Sequence, residues 1–224
     1  MNVAMIPARM GSQRLKQKNL ATLDGISLLA RAIRKCKAAD CFDEIWVNSE
    51  HDALGDIATA EGVQFHKRPE ALANDTATSE DFVYEFMHAH PCDRVFQIHT
   101  IAPLFSAERV AQFVHAMSEQ DIDVLLTCTH EQIECAYQGQ PINFSYEAKT
   151  NSQDLDPIQR ITWSATGWRR DTFMAAHEAG QTATYAGDLG YFPVNRMEGH
   201  IIKTEEDLRL VEVYLALEKS STHD

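Results

Sequence analysis

The 224-residue sequence shows no pattern that predicts attachment to a membrane or export. No apolar run approaches the roughly 20 residues that a membrane-spanning helix needs, and the first residues lead directly into a predicted strand without a signal-peptide pattern. The five cysteines are scattered and have no Cys-x-x-Cys spacing, which indicates neither a zinc site nor a disulfide framework. We therefore expect a cytoplasmic protein with no membrane partner.

Positive charge is also scarce. Lys and Arg number 20 against 33 Asp and Glu, which gives a formal net charge of -13 and argues against nucleic acid as a partner. Four of the 20 cations nevertheless lie close together, at Arg9, Arg14, Lys16 and Lys18. An anionic substrate would have to be attracted by this local cluster, because the overall field of the protein repels it.

The basic cluster follows a short apolar run, Val3 to Ile6, that is typical of a buried parallel strand. Ligands of α/β proteins bind at the carboxyl ends of such strands. Gly11 and Ser12 would allow main-chain amides to approach an anion closely, so residues 5–19 are interpreted as a phosphate-binding loop. The loop is not a P-loop, because the Gly-x-x-x-x-Gly-Lys-Ser/Thr pattern is missing. The alternative is a solvated basic loop without a ligand.

Strand and helix patterns alternate along the chain, which favours a single α/β domain over residues 1–224, with a mostly parallel sheet and helices on both faces. Strands are predicted over residues 3–6, 45–48, 63–66, 94–98, 124–127, 163–168 and 191–194. Helices are predicted to start after Ser27, near Asp52, at Thr78 or Ser79, after Ser106, near Asp171 and at Thr204.

Residues 131–160 interrupt this alternation. The stretch is rich in Gln, Asn, Ser and Asp and has no sustained period. A structureless loop of this length is unusual in a compact domain unless it has a partner. Its apolar residues, Phe144, Tyr146, Leu155 and Ile158, would need burial somewhere. The alternative is a disordered insertion.

The first loop reads Ile6-Pro7-Ala8-Arg9-x-Gly11-Ser12-x-Arg14-Leu15-x-x-Lys18-Asn19 and resembles the signature of the CMP-sugar synthetases, to which the Kdo cytidylyltransferases are related. The resemblance covers nearly the whole chain and implies a three-layer, Rossmann-like nucleotidyltransferase fold. It implies an enzyme that transfers CMP from CTP to an acidic sugar (sialic, pseudaminic, legionaminic or Kdo-like) and releases pyrophosphate, as in polysaccharide biosynthesis. It further implies that residues 131–160 form an arm that packs against the second subunit of a homodimer.

The resemblance also implies a nucleotide site. In the family the first loop holds the triphosphate of CTP, and a second motif, here Arg68-Pro69-x-x-Leu72-Ala73-x-Asp75-x-Ala77-x-Ser79, recognises the cytosine. Arg9 and Lys18 are expected to act in catalysis as well as in binding. The complete set of implied nucleotide-binding residues is Ala8, Arg9, Gly11, Ser12, Arg14, Lys18, Asn19, Arg68 and Ser79.

The implied acceptor site is less similar to the family. His99 and Thr100 lie in the element that corresponds to the family's Gln-Pro-Thr-Ser-Pro-Leu, and His99 stands where a glutamine contacts the sugar. The alternative is that His99 is a structural histidine. Arg160, Arg169 and Arg170 are candidates for the sugar carboxylate, because a guanidinium binds a carboxylate through two hydrogen bonds.

The last motif departs from the family. Its members carry Asp-x-Asp-Thr before the final helix, and those aspartates hold magnesium, whereas this chain has Ile201-Ile202-Lys203-Thr204. Because Mg²⁺ requires hard oxygen ligands, its protein ligands are unknown here, although we expect the ion to accompany CTP. Other carboxylates such as Asp188 or Glu198 could bind it, or Lys203 could supply charge without metal as a catalytic residue, or catalysis could be impaired.

Two alternatives to the CMP-sugar synthetase reading stay open. The divergent acceptor motifs are compatible with a nucleotidyltransferase that acts on another acidic acceptor. The missing aspartates are compatible with a non-catalytic relative that binds a nucleotide or a sugar.

Overall fold

The computed structural model describes residues 1–12, 14–74 and 76–221. Its strands are numbered here in chain order. They are β1 Asn2–Pro7, β2 Thr22–Leu23, β3 Ile26–Ser27, β4 Glu44–Ser49, β5 Gln64–Lys67, β6 Arg94–Ile98, β7 Val124–Glu131, β8 Ala136–Tyr137, β9 Gln140–Pro141, β10 Ile158–Arg169 and β11 Leu189–Pro193.

Seven of these strands form the central sheet, in the order β11-β7-β10-β6-β1-β4-β5. β1 pairs in parallel with β4 and β6, β4 with β5, and β7 with β11. Only β10 runs antiparallel to its neighbours β6 and β7 within the described sheet. The prediction of a mostly parallel sheet is therefore confirmed. The remaining strands form two short hairpins, β2-β3 and β8-β9.

The longer helices begin where the sequence predicted them. They are α1 Leu28–Ala39, α2 Asp52–Ala60, α3 Ser79–Ala89, α4 Ala107–Gln120, α5 Arg170–Glu178 and α6 Glu205–Ser221. The Ser27 hydroxyl accepts a hydrogen bond from the Ala30 amide at 3.1 Å and caps α1. Of the two residues predicted as the cap of α3, Thr78 is the one that caps it, and it forms a reciprocal capping box with Asp81. In the described part of the chain, no helix has the length and apolar character needed to cross a membrane.

Helices cover both faces of the sheet, and β1 shows how the sequence achieves this. Its side chains alternate between the two faces, as in any strand. Ala4 and Ile6 pack in a cluster with α1, α2 and α4, whereas Val3 and Met5 pack in a second cluster with α3 and α5. All four side chains are completely buried, as expected for a central parallel strand.

The irregular stretch is shorter than predicted. Residues 158–160 belong to β10 and pair with the end of β7, so Ile158 and Arg160 are strand residues. Between β7 and β10 lie the hairpin β8-β9 and a single 3-10 turn at Ser152–Asp154. Leu155 is buried, but Tyr146 remains 68% exposed. The role of this stretch as a dimerisation arm stays a prediction.

Candidate active site

A cavity of about 380 Å³ lies where β1 and β6 end side by side, the edge of the sheet at which α/β proteins bind ligands. Five cationic side chains among the described residues line it, from three separate parts of the chain. They are Arg9, Arg14, Lys18, Arg68 and Lys203. The cavity also contains four polar side chains, Ser12, Asn19, His99 and Thr100, and is completed by Pro7, Ala8, Phe82 and Ile101.

Hydrogen bonds from neighbouring strands hold the basic loop in place. The Ala8 amide donates to the Asn48 carbonyl at 3.0 Å, and the Met10 amide donates to Glu50 Oε1 at 2.8 Å. Ala8 directly follows β1, whereas the two acceptors belong to the β4 region: Asn48 lies on β4 and Glu50 directly follows it. The loop is thus attached to the sheet before any ligand binds, which reduces the ordering that a ligand would have to impose.

Asn19 joins the two ends of the loop to β6. Its Nδ2 donates to the Arg9 carbonyl at 2.8 Å, and its Oδ1 accepts a hydrogen bond from Thr100 Oγ1 at 2.7 Å. Asn19 is 5% exposed and Thr100 is 4% exposed, so water cannot replace these bonds easily. Both residues were predicted to contact substrates. In the structure they also position the main chain of Arg9.

Arg68 supports the same loop from below. Its guanidinium donates to the carbonyl oxygens of Ala8, at 2.9 Å, and Asn48, at 2.8 Å. It also lies over the Phe82 ring at 4.5 Å, a favourable cation–π geometry. Burial lowers the pKa of Arg68, but an arginine starts so high that it stays charged. A smaller cavity of about 220 Å³ adjoins Arg68 and Phe82 and is lined by Leu72, Ala73, Asn74 and Ala77.

The cations of the cavity act on one another. Burial lowers the pKa of Lys18, and the charges of Arg14, Arg9 and Lys203 lower it further. Like charges so close together cost free energy in the empty protein. A polyanion bound in the cavity would offset the repulsion between these cations. The arrangement therefore favours a ligand with several negative charges.

His99 is a neutral residue in this basic environment. Burial, together with the charges of Lys18 and Lys35, lowers its pKa to about 4. Its Nε2 is buried and has no hydrogen-bond partner among the described residues. Lys35 lies beneath and donates from Nζ to the Ala102 carbonyl at 2.6 Å. At neutral pH the imidazole can therefore offer one donor and one acceptor to a ligand, but no charge.

Most of the predicted site residues come together in the cavity. Ala8, Arg9, Ser12, Arg14, Lys18, Asn19, Arg68, His99, Thr100 and Lys203 all line it. Gly11 lies on the exposed side of the loop, where a Cβ would meet no atom, and Ser79 is an exposed residue at the start of α3. Neither lines the two cavities just described.

Two of the arginines predicted to bind the acceptor lie elsewhere. Arg169 pairs with Asp121 at 2.6 Å and with Asp123 at 3.0 Å. It lies at the opposite edge of the sheet, next to Arg94 at the start of β6, because β10 runs antiparallel to β6. Arg160 pairs with Glu131 at 3.0 Å and is exposed. Neither guanidinium lines the cavity.

The donor set of the cavity does not suit a magnesium ion held by the protein. Among the described residues no Asp or Glu lines it, and no group of three or more His, Cys, Asp or Glu side chains could hold a metal. The two carboxylates considered from the sequence are placed elsewhere. Glu198 is ion-paired with Arg109 at 3.0 Å, and Asp188 lies beside Asp123 at the opposite edge of the sheet.

Sequence reasoning missed two contributors to the site. One is Phe82, which stacks on Arg68 from α3 and lines the cavity; the helical period does not distinguish a core residue from one that faces a cavity. Glu50, which fixes the Met10 amide, follows β4 and carries no motif. Its position after a predicted strand was the only available signal.

The chain is similar in sequence to known cytidylyltransferases. A family model described as Cytidylyltransferase matches residues 3–212. N-acylneuraminate cytidylyltransferase A of Danio rerio is 25% identical over 165 residues, which are 72% of this chain and 38% of that protein. N-acylneuraminate cytidylyltransferase of Escherichia coli O18:K1:H7 is 38% identical over 81 residues, which are 36% of this chain and 19% of that protein. The chain thus spans well under half the length of these curated relatives.

Solved structures show the same fold. A structure of CMP:2-keto-3-deoxy-manno-octonic acid synthetase complexed with CTP has a TM-score of 0.73 at 17% identity, covering 97% of this chain and 99% of that chain. A structure of 4-diphosphocytidyl-2C-methyl-D-erythritol synthase from Anaerococcus prevotii has a TM-score of 0.70 at 14% identity, covering 96% and 98%. The nucleotidyltransferase fold predicted from the sequence is thereby confirmed.

Proposed function

The chain belongs to the cytidylyltransferase family, and from this membership we propose that it transfers CMP from CTP to a sugar acid and releases pyrophosphate. Its resemblance to the CMP-sugar synthetases is confirmed by relatives that are themselves named N-acylneuraminate cytidylyltransferases. The observation that carries the proposal is the cavity at the carboxyl edge of the sheet, which gathers five cations in a protein of formal net charge -13.

In this proposal the triphosphate of CTP lies against the basic loop. Arg9, Arg14 and Lys18 contact its phosphates, since charge-assisted hydrogen bonds are the strong ones. The base would occupy the smaller cavity beside Arg68 and Phe82. The Asn74 side chain is bonded within its own loop, to Ala71, Thr76 and Ala77, so it would help to shape a pocket in which short polar groups recognise the amide edge of cytosine.

The chemistry is a displacement at phosphorus. A hydroxyl oxygen of the acceptor forms a bond to the α-phosphorus of CTP, the bond from that phosphorus to the β-phosphate oxygen breaks, and the hydroxyl proton is released to solvent. Negative charge moves onto the departing pyrophosphate, where Arg9, Lys18 and Lys203 stabilise it. Neutral His99 would orient the acceptor through a hydrogen bond.

One observation favours a second candidate, transfer of CMP to a different acidic acceptor. Arg160 and Arg169, which the resemblance implied for the sugar carboxylate, are paired with Glu131 and with Asp121 and Asp123 respectively. The cavity therefore lacks those guanidinium groups. An acceptor whose anionic group reaches the loop cations would fit it equally well.

The activity is tested by measuring pyrophosphate release with CTP and a panel of acceptors. The panel contains sialic, pseudaminic, legionaminic and Kdo-type acids, together with a sugar phosphate and a polyol phosphate. We expect release with CTP and at least one sugar acid. Release only with a phosphate-bearing acceptor would support the second candidate. Tight CTP binding with no turnover on any acceptor would favour a non-catalytic relative.

We also propose that the protein is a homodimer whose interface includes the hairpin β8-β9. Four apolar side chains around this hairpin, Ile133, Tyr137, Ile142 and Tyr146, are 56–68% exposed, and such a cluster is typical of an interaction surface. Light scattering should give twice the 25.2 kDa of one chain. Ile142→Asp should lower this mass, while Leu210→Asp on α6 serves as the control. A monomeric wild-type protein at micromolar concentration would contradict the proposal.

A further inference from the structure

Lys203 enters the cavity from the segment between β11 and α6. The neighbouring Ile202 is completely buried in a cluster with Leu23, Leu28 and Val211, and its amide donates to the Ile101 carbonyl at 2.8 Å. The main chain of Lys203 is therefore fixed beside the site by its neighbours. Its ammonium has no hydrogen-bond or ion-pair partner among the described residues, although it lines the cavity and acts on Lys18.

The carboxylate nearest to this segment is already engaged. Asp207 Oδ2 accepts hydrogen bonds from the Lys203 amide at 2.9 Å, the Thr204 amide at 2.8 Å and the Thr204 hydroxyl at 2.9 Å. These bonds cap the start of α6, where main-chain amides otherwise lack partners. The other oxygen, Oδ1, faces His200 Nε2 at 3.9 Å, and Asp207 does not line the cavity, although its charge acts on Lys18.

The charges of the cavity also argue against a magnesium ion bound by the protein. Protein-bound Mg²⁺ needs carboxylate or other hard oxygen ligands, and it keeps them in octahedral geometry. Here five cations line the cavity and no carboxylate does, within the part of the chain that the structure describes. A magnesium ion placed among these cations would be repelled, whereas a triphosphate without metal would neutralise them.

We propose that this cavity binds its polyphosphate as the metal-free anion, with the Lys203 ammonium contacting the phosphates and supplying charge that a metal would otherwise provide. The inference rests on the proposed function for the identity of the nucleotide, but not for the identity of the binding groups. A lysine ammonium is a mobile point charge. It can follow the β- and γ-phosphates as pyrophosphate leaves.

The experiment is calorimetric titration with two probes, CTP and inorganic tripolyphosphate, each in EDTA and in excess magnesium. We expect the wild type to bind both probes in EDTA, about 3- to 10-fold more tightly than in magnesium, because Mg²⁺ removes negative charge from the ligand. Binding without turnover is the readout, so the result does not depend on finding the acceptor.

Variants at one position assign the effect to Lys203. Lys203→Ala should weaken binding in EDTA by about 5- to 10-fold and change binding in magnesium less, as expected for a charge-assisted contact at an exposed side chain. Lys203→Asp should reverse the preference, so that magnesium strengthens binding. The α6 cap uses main-chain amides of this segment and should survive both changes. Lys37→Ala, which removes an exposed charge of α1 outside the cavity, should change affinity less than twofold.

The outcomes separate this inference from the proposed function. If CTP binds only in magnesium, or if Lys203→Ala behaves like Lys37→Ala, metal-free binding is wrong while the CTP site stands. If tripolyphosphate binds in EDTA in a Lys203-dependent way but CTP does not bind, the inference stands and the nucleotide is wrong. If neither probe binds in either buffer, both proposals are overturned.

Discussion

The cations inside the cavity and those on the rest of the surface have different neighbours. Outside, arginines lie against carboxylates: Arg34 donates to both oxygens of Glu61 at 2.7–3.1 Å, and Arg169 lies between Asp121 and Asp123. Inside, the charges that lower the pKa of Lys18 come from other cations. The same residue types are thus neutralised in one region and concentrated in the other.

The difference indicates that the cavity is the place where an anionic ligand would bind. A chain with 33 acidic residues could readily have placed one among the cavity cations, yet none lines the cavity in the described residues. Surface ion pairs contribute little to stability, but the carboxylates balance the charge of the outer arginines. The cavity is where cations are concentrated, so it is the region expected to attract an anionic ligand against the overall negative field.

Placing a carboxylate in the cavity should have the largest effect. Lys18→Glu replaces an attraction to the triphosphate by a repulsion, and we expect CTP affinity to fall by about 100-fold or more. Arg169→Glu is the matched charge reversal at the opposite edge of the sheet, and it should leave the affinity within twofold. Calorimetric titration of both variants checks this. Equal losses would mean that overall charge, and not the cavity, controls binding.

His99, whose Nε2 is buried in the cavity wall, offers a test through pH. The folded state lowers the pKa of His99 to about 4, from an ordinary value of about 6.5. As pH falls through this range the unfolded chain takes up the proton more readily, so stability is present above pH 6.5 and is lost toward pH 4. Between pH 7.5 and pH 4.5 this group should remove roughly 2 to 3 kcal/mol from the free energy of unfolding.

The comparison is between wild type and His99→Gln, which keeps a polar side chain and removes the titration. Urea unfolding at the two pH values should show a smaller loss of stability in the variant, by roughly 2 to 3 kcal/mol. His90, whose pKa is also lowered by burial, contributes to both proteins and cancels. An identical loss in the two proteins would show that His99 is accessible to protons in the folded state.

A smaller effect is expected from the bonds that hold the loop. Thr100→Val leaves the buried Asn19 Oδ1 without its donor, which should lower the free energy of unfolding by about 2 kcal/mol. CTP affinity should fall a few-fold, because Asn19 would hold the Arg9 carbonyl less firmly. Thr59→Val, on the exposed side of α2, is the control. Loss of stability without any loss of affinity would separate Asn19 from the binding site.

The sequence predicted those parts of the site that depend on local order. The apolar run of β1, the basic loop after it and the Thr78 cap of α3 are contiguous signals, and the structure contains all of them. Lys203 was predicted only through its place in a family motif. Its approach to the cavity depends on the burial of Ile202 and on the bond to Ile101, which join distant parts of the chain.

The parts that could not be predicted depend on strand direction and packing. The pattern of residues 163–168 indicates a strand but not its direction, and the antiparallel course of β10 carries Arg169 to the far edge of the sheet. Tyr146 was expected to need burial somewhere and is 68% exposed in the isolated chain. No local pattern shows whether an apolar side chain of an irregular stretch packs within its own chain.

The central claim is that the loop cations bind the triphosphate of CTP. The most direct measurement is calorimetric titration of wild type and Arg9→Ala with CTP, UTP, ATP and GTP. We predict that wild type binds CTP most tightly and that Arg9→Ala weakens CTP binding by at least about 10-fold, the loss of one charge-assisted hydrogen bond. Equal affinity for all four nucleotides would contradict the cytosine site, and unchanged affinity in Arg9→Ala would contradict the account of the loop.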